Sequence, residues 1–449
     1  MDPQAVHAGP PPASGIASDP ARSSSWHRWT AVALLIAINH FNYIDRQILA
    51  AVEPEIRKEL FPAAGEAAAS DAKFWMGLLP FAFLITYMFL APLFGMLADR
   101  YSRWKIVGVG VILWSIASGA SGWVWGLGLA AAYWALFATR CFVGVGEGAY
   151  GPAAPAMIAD LFPVERRGMM LSYFYLAIPV GGALGYAFGE LVMLGFGWSW
   201  RWAFYLVVPP GILLGVLCFL MREPPRGLSE HAMPATSKGF DKYLLLLKIP
   251  SFVYNTLGMT AMSFAIGGLA FWMPDYLERH HVEALFGIPP RTAFGGIVAL
   301  SGLLATLAGG WLADKLRGRF RGSYFLVSGA AMALGFPAVL GFLYAPFPLA
   351  WIFVFLAVFC LFFNTGPTNT ILANVTHPSV RSSGFALNIL VMHLFGDAVS
   401  PALMGLCDGR LFPDAGFHLV AWTILIGGIL WLLGAPHLDR DTELAATRG

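Results

Sequence analysis

After residue 28, long apolar runs separated by short polar connectors recur along the whole chain. A membrane-crossing helix needs roughly 20 mostly apolar residues. Runs of that kind lie at 29–51, 75–98, 105–126, 130–156, 168–195, 202–221, 251–277, 293–313, 323–345, 349–373, 383–406 and 417–434. Outer-membrane strands are about 10 residues long and alternate in polarity. These runs are longer and do not alternate. The pattern predicts an all-α membrane protein with twelve transmembrane helices. The first run is too long for the apolar part of a signal peptide and has no small-residue cleavage site after it, so it reads as a span.

The longest polar stretch, 223–249, divides the chain into six spans and six spans. Within the halves, Gly95-Met96-Leu97-Ala98-Asp99-Arg100 recurs as Gly310-Trp311-Leu312-Ala313-Asp314-Lys315, each time at the end of a second span. Two similar halves are the sequence signature of many secondary transporters. The expected units are a tail at 1–25, a half at 26–222, the linker at 223–249, a half at 250–435 and a tail at 436–449. The first tail, rich in Pro, Ala and Ser, reads as disordered. If the even-numbered loops are cytoplasmic they hold 15 Lys/Arg, against seven opposite: Arg57, Lys58, Lys73, Arg201, Arg279, Arg291 and Arg410. That bias puts both termini in the cytoplasm. Trp26, Trp29, Trp104, Trp123, Trp198, Trp200, Trp202 and Trp272 fall near span ends, where an interfacial belt lies.

Composition agrees. The chain of 449 residues is 57% hydrophobic and only 12% charged, which excludes a soluble enzyme and a disordered chain. The net charge of +2 carries no nucleic-acid signature. Cys141, Cys218, Cys360 and Cys407 sit in apolar runs with spacing that fits neither zinc nor a disulfide framework.

Scarce charge makes each ion within a span a candidate for function, because burying one in the bilayer costs several kcal/mol. Those within spans read as Asp45, Arg46, Arg140, Glu147, Asp397 and, near an edge, Glu190. Asp45 lies about 16 residues, roughly 24 Å, along the first helix. Arg140 and Glu147 are nearly two turns apart on one face of the fourth, with Arg140 at the depth of Asp45. A buried carboxyl favours its neutral form and a nearby arginine favours the ion. An arginine that changes partner therefore links conformation to protonation. A static network and a sodium site built from Asp45 with Asn39 or Asn42 are the alternatives. Arg46 points about 100° from Asp45, toward another helix or the outer mouth. His393 and Asp397, one turn apart in span 11, are open to a static pair or to a substrate or relay role. Asn364, Asn369, Asn374 and Asn388 add polar points to spans 10 and 11. Glu190 is expected to snorkel to the interface.

The segment Gly95–Lys105 (GMLADRYSRWK) resembles the loop-2/3 motif of the major facilitator superfamily. The residue types fit a gate: Gly95 allows close helix approach, Asp99 accepts at a helix end, and Arg100 and Arg103 can pair with acids, Asp160 among them. The resemblance implies that such contacts, with Asp314 in the second copy, hold the halves together on the cytoplasmic side. A purely topogenic basic loop is the alternative. NYIDR at 42–46, RCFVGVGEGAYGPAAPAMIADLF at 140–162 and RSSGFALNILVMHLFGDAVSPALMG at 381–405 resemble more narrowly the spinster branch of sphingolipid and lysophospholipid transporters. Trp104 interrupts the basic cluster of the first motif, and Gly148 stands where alanine is usual.

The resemblance implies a proton-coupled carrier of amphipathic lipids. Asp45, Arg140 and Glu147 would couple protons, and Asn42, Tyr43, Arg46, Asn369, Asn388, His393 and Asp397 would line the cavity. A drug or organic-acid exporter, a lipid scramblase and a non-transporting receptor are the competing readings. No nucleophile–base pair, metal cluster or phosphate-cradling loop stands out. The expectation is no enzyme activity and no cofactor, a proton gradient as energy source, a lipid-like substrate with membrane lipids as partners, and a monomer in the plasma (inner) membrane.

Overall fold

The computed structural model describes residues 25–62, 66–124, 128–162, 170, 173–223, 241–317, 319–377 and 381–445. It is helical throughout. In the first half run α1 (Ser25–Leu60), α2 (Glu66–Arg100), α3 (Arg103–Ser121), α4 (Leu129–Tyr150), α5 (Ala153–Leu161), α6 (Ala177–Glu190), α7 (Arg201–Tyr205) and α8 (Val208–Phe219). In the second run α9 (Asp241–Leu247), α10 (Pro250–Arg279), α11 (Pro290–Leu316), α12 (Ser323–Tyr344), α13 (Ala350–Phe362), α14 (Thr365–Val375), α15 (Arg381–Met392), α16 (Ser400–Arg410), α17 (Ala415–Gly434) and α18 (Leu438–Ala445).

Eleven stretches of these helices are long and apolar enough to cross a membrane. The twelfth span is α1, whose run of Asn39, His40, Asn42, Asp45 and Arg46 dilutes its hydropathy. Several spans are broken helices. Gly151-Pro152 separates α4 from α5, as a proline interrupts the helical ladder. Span 11 passes through a π-helical turn, His393–Asp397, between α15 and α16. Part of the expected linker is ordered: α9 seats Leu246 in the core. Of the expected tails and linker, residues 1–24, 224–240 and 446–449 lie outside the described residues.

We call the end of the molecule reached by the last turn of α1 the distal end, and the opposite end the proximal one. Near the distal end one apolar core joins both halves, with Ile48, Val52 and Ile56 packed in the same cluster as Phe264, Trp272 and Tyr276. Toward the proximal end the first half has a separate core around Leu35, Trp104, Trp114 and Tyr150.

Helices of opposite halves touch backbone to backbone in the shared region. A Cβ on Gly77 of α2 would come within 2.5 Å of the Pro401 backbone in α16, and one on Gly405 within 2.6 Å of the Lys73 carbonyl. A Cβ on Gly295 of α11 would come within 2.9 Å of the Ala183 backbone in α6.

Candidate functional site

The rare ions of the first half meet between α1, α3 and α4, but with partners other than the sequence implies. Asp45 is fully buried and accepts a hydrogen bond from Ser118 of α3. Arg140, also buried, donates through Nη2 to Ser121 Oγ at 2.5 Å and lies 5.3 Å from the centre of the Phe204 ring. The acid and the arginine are thus each held by a serine of α3. Asp45 Oδ2 and Arg140 Nε have no hydrogen-bond partner among the described residues.

The direct ion pair is instead Arg46–Glu147. Arg46 donates from Nε at 2.8 Å and from Nη2 at 2.5 Å to Glu147 Oε2. The 100° turn that separates Arg46 from Asp45 carries it to α4. Its guanidinium sits 5.1 Å from the Tyr43 ring centre, 4.7 Å from Phe83 and 5.8 Å from Tyr87. Aromatic faces stabilise a cation held over them. The Glu147 side chain is 1% exposed and that of Arg46 is 25% exposed, so the pair is open on the arginine side. Asn42 is buried beside them on α1.

In the second half, His393 Nδ1 lies 2.9 and 3.0 Å from the two carboxylate oxygens of Asp397. Both side chains are about a quarter exposed. The π-helical turn that carries them fits against α10 because small residues meet there: Cβ atoms on Gly396 or Gly267 would run into Ser263 and Asp397. Asn388 is buried, with its Nδ2 3.5 Å from the Met259 sulfur, whereas Asn369 is exposed and donates to the Thr365 carbonyl at 2.7 Å.

A second assembly, not foreseen from the sequence, closes the distal end. Arg57 of α1 pairs with Asp275 of α10 and donates to Glu53 at 2.8 Å. Lys73 of α2 stands 2.8 Å from Asp408 and 3.5 Å from Asp275. Arg279 joins Asp275, Asp408 and Asp414 at 2.7, 3.3 and 2.8 Å. Arg291 of α11 reaches Glu55 at 3.1 Å and the Ala51 carbonyl at 2.6 Å. Lys58–Glu278 and Arg410–Asp71 add two more pairs. All cross-half ion pairs between described residues lie at this end. Asp275, 1% exposed near the end of α10, is the hub, an ion within a span beyond those that the sequence singles out.

Glu190 belongs here too. Instead of snorkelling it is 3% exposed and accepts the backbone N–H groups of Arg291 and Thr292, at 3.2 and 2.7 Å. The first turn of α11 has unpaired N–H donors, and a carboxylate there meets both the donors and the positive end of the helix dipole.

At the proximal end the expected gate differs in detail. The nearest atom to a Cβ on Gly95 would be Pro152 Cβ at 3.9 Å, an ordinary contact, so Gly95 is not at a tight crossing. In the second copy the close approach is made by Gly309, against the Phe363 backbone, not by Gly310. Arg103 pairs at 2.9 Å with Glu223. Burial opposes ionisation of Glu223, but hydrogen bonds from Arg103 and Ser102 outweigh it and hold its carboxyl below the ordinary value. Asp314 accepts from the Tyr324 hydroxyl at 2.8 Å. The side chains of Asp99, Arg100 and Asp160 lie outside the described residues.

Residues 35–401 match the sequence profile described as Major Facilitator Superfamily. Zebrafish (Danio rerio) "Protein spinster homolog 3" is 35% identical, over 96% of this chain and 90% of that protein. Human "Protein spinster homolog 1" is 37% identical over 92% and 82%. Among solved structures, an inward-facing, unoccupied bacterial homologue of the human lysosomal transporter spinster superposes with TM-score 0.71 at 22% identity, covering 95% of this chain and 99% of that one. A D-xylose–proton symporter superposes with TM-score 0.72 at 20% identity, over 90% and 97%.

Proposed function

Because this chain belongs to the major facilitator superfamily, and within it to the spinster branch, we propose that it is a proton-coupled carrier of an amphipathic lipid, of lysophospholipid or sphingoid-phosphate type. The observation that carries this reading is the Arg46–Glu147 pair beside Asp45 and Arg140, four ions set deep in the first half. A proton on Glu147 cancels its charge and releases Arg46. The freed guanidinium is then available to an anionic headgroup. Headgroup binding in turn keeps Arg46 from re-forming the pair, so lipid and proton become linked through one arginine. Asp45, facing Arg140 across Ser118 and Ser121, is a second carboxylate whose proton occupancy depends on where Arg140 sits.

The cross-half contacts support alternating access. The ion pairs close the distal end, and among the described residues the core shared by many residues of both halves lies there, whereas Ala398 is the one second-half residue in the proximal core. With the basic-loop bias placing the termini in the cytoplasm, this is an arrangement closed outward. Tyr43, Phe83 and Tyr87 around Arg46 offer apolar area beside a cation, which suits a tail joined to an anionic head. His393 and Asp397, partly exposed on the facing half, can take a zwitterionic head.

The test is reconstitution in liposomes with labelled lysophospholipid under an imposed pH gradient. The expected result is gradient-dependent flux that disappears in Glu147→Gln. Flux indifferent to the gradient, or hydrophobic cations carried in preference to lysolipid, would contradict the reading.

A further inference from the structure

An open groove of about 420 Å³ runs between α2, α3 and α4, outside the ion cluster. Its walls include Leu97, Tyr101, Lys105, Val109, Leu113 and Val145. Its depth comes from the α3–α4 crossing. Cβ atoms on Gly110 and Gly146 would each come within about 2.6 Å of the other's carbonyl, so these helices meet backbone to backbone. The faces around it are exposed and apolar: Val109 is 58% exposed, Ile116 52% and Phe142 56%. On membrane-spanning helices such faces lie against acyl chains.

The groove is graded in polarity. Tyr101, Ser102 and Lys105 sit at the corner where α2 ends and α3 begins, the depth of lipid headgroups. Val109 and Leu113 follow one and two turns further along α3, about 6 and 12 Å into the hydrocarbon. The polar end offers donors. Arg103 is engaged by Glu223, but no acid partners Lys105 among the described residues, where it is exposed. None of the groove's described lining residues is acidic.

We propose that this groove binds an anionic glycerophospholipid of the surrounding bilayer, with its phosphate at Lys105 and an acyl chain along Val109 and Leu113. The ammonium of Lys105 selects for a head of net negative charge. The bound lipid would tie three helices together beside the Arg103–Glu223 pair. It is distinct from the transported lipid, which the proposed function places among Arg46, Glu147 and His393.

The test is native mass spectrometry and thermal melting of the full chain in detergent. Phosphatidylglycerol and phosphatidylcholine of identical acyl chains are supplied in equal amounts. Wild type should retain phosphatidylglycerol preferentially and melt at higher temperature with it. Lys105→Gln should weaken that preference about tenfold, the ratio for one charge-assisted contact. Val109→Trp should fill the groove and abolish retention of both lipids. Both variants should melt as wild type does without lipid, since both positions are exposed. Equal retention of the two lipids by wild type would overturn the proposal. So would wild-type phosphatidylglycerol retention in either variant, or lipid-free dimers that cover the groove with a second copy.

Discussion

Ser118 and Ser121, three residues apart on α3, hold the two ions that the sequence pairs with each other. Ser118→Ala should destabilise the protein by about 1–3 kcal/mol, because it removes a donor from a buried carboxylate. A detergent melting curve would show this as a lowered midpoint, and an unchanged midpoint would remove Ser118 from the account. Asp45, Arg140 and Glu147 were legible because charge in an apolar run stands out. The serines were not, since serine is ordinary in a membrane helix and only the rotation of α3 shows which hydroxyls face the acid. Glu59, beyond the membrane at the end of α1, gives a pH test. Hydrogen bonds from Arg201 above all hold its carboxyl below the ordinary 4.5, against partial burial. A lowered value means stability that is present above 4.5 and lost as pH falls through the folded-state value. Glu59→Gln should therefore melt below wild type at pH 7, with the gap closing in acid. A gap constant with pH would contradict the assignment.

Among the elements, the helices themselves were readable from run length, and their junctions were not. The polar cluster of α1 also makes it the one span that falls short of the hydropathy of the others. Its status rests on the partners that bury Asp45 and Glu147, which lie far away in sequence. Glu190 was misread for the same reason: a carboxylate near a span end looks like an interfacial residue until the start of α11 is seen to rest on it. Glu190→Ala should cost about 0.5–2 kcal/mol, as loss of an N-terminal cap does. Hydrogen exchange in the first turn of α11 should rise with it, and unaltered protection there would count against the cap. Both copies of the repeated motif end a long helix, but the close approach that its glycine suggests is made in the second half by the neighbouring Gly309.

Over the whole molecule, six of the seven basic residues that stood on the sparse side of the topology count join the distal lattice, Arg201 being the exception. Sequence could assign them only to loops, because all but Arg279 pair with an acid of the other half. Asp275→Ala removes the acid that Arg57, Lys73 and Arg279 share and with it the direct Arg57 link between the halves, leaving them Glu53, Asp408 and Asp414. Breaking buried pairs costs on the order of 3–5 kcal/mol, enough to move a two-state ratio by about a hundredfold or more. Spin labels at Trp198 and Phe286, exposed distal sites in opposite halves, should report a longer separation in Asp275→Ala than in the parent. An identical distance distribution would mean that the lattice does not hold the distal end shut. The central claim is that one buried arginine–glutamate pair links lipid to protons. It is tested most directly by imposing a lysophospholipid gradient on proteoliposomes without a pH gradient and following internal pH with a trapped dye. The account predicts a lipid-driven pH change in wild type and none in Glu147→Gln. Lipid movement in wild type without any pH change would contradict it.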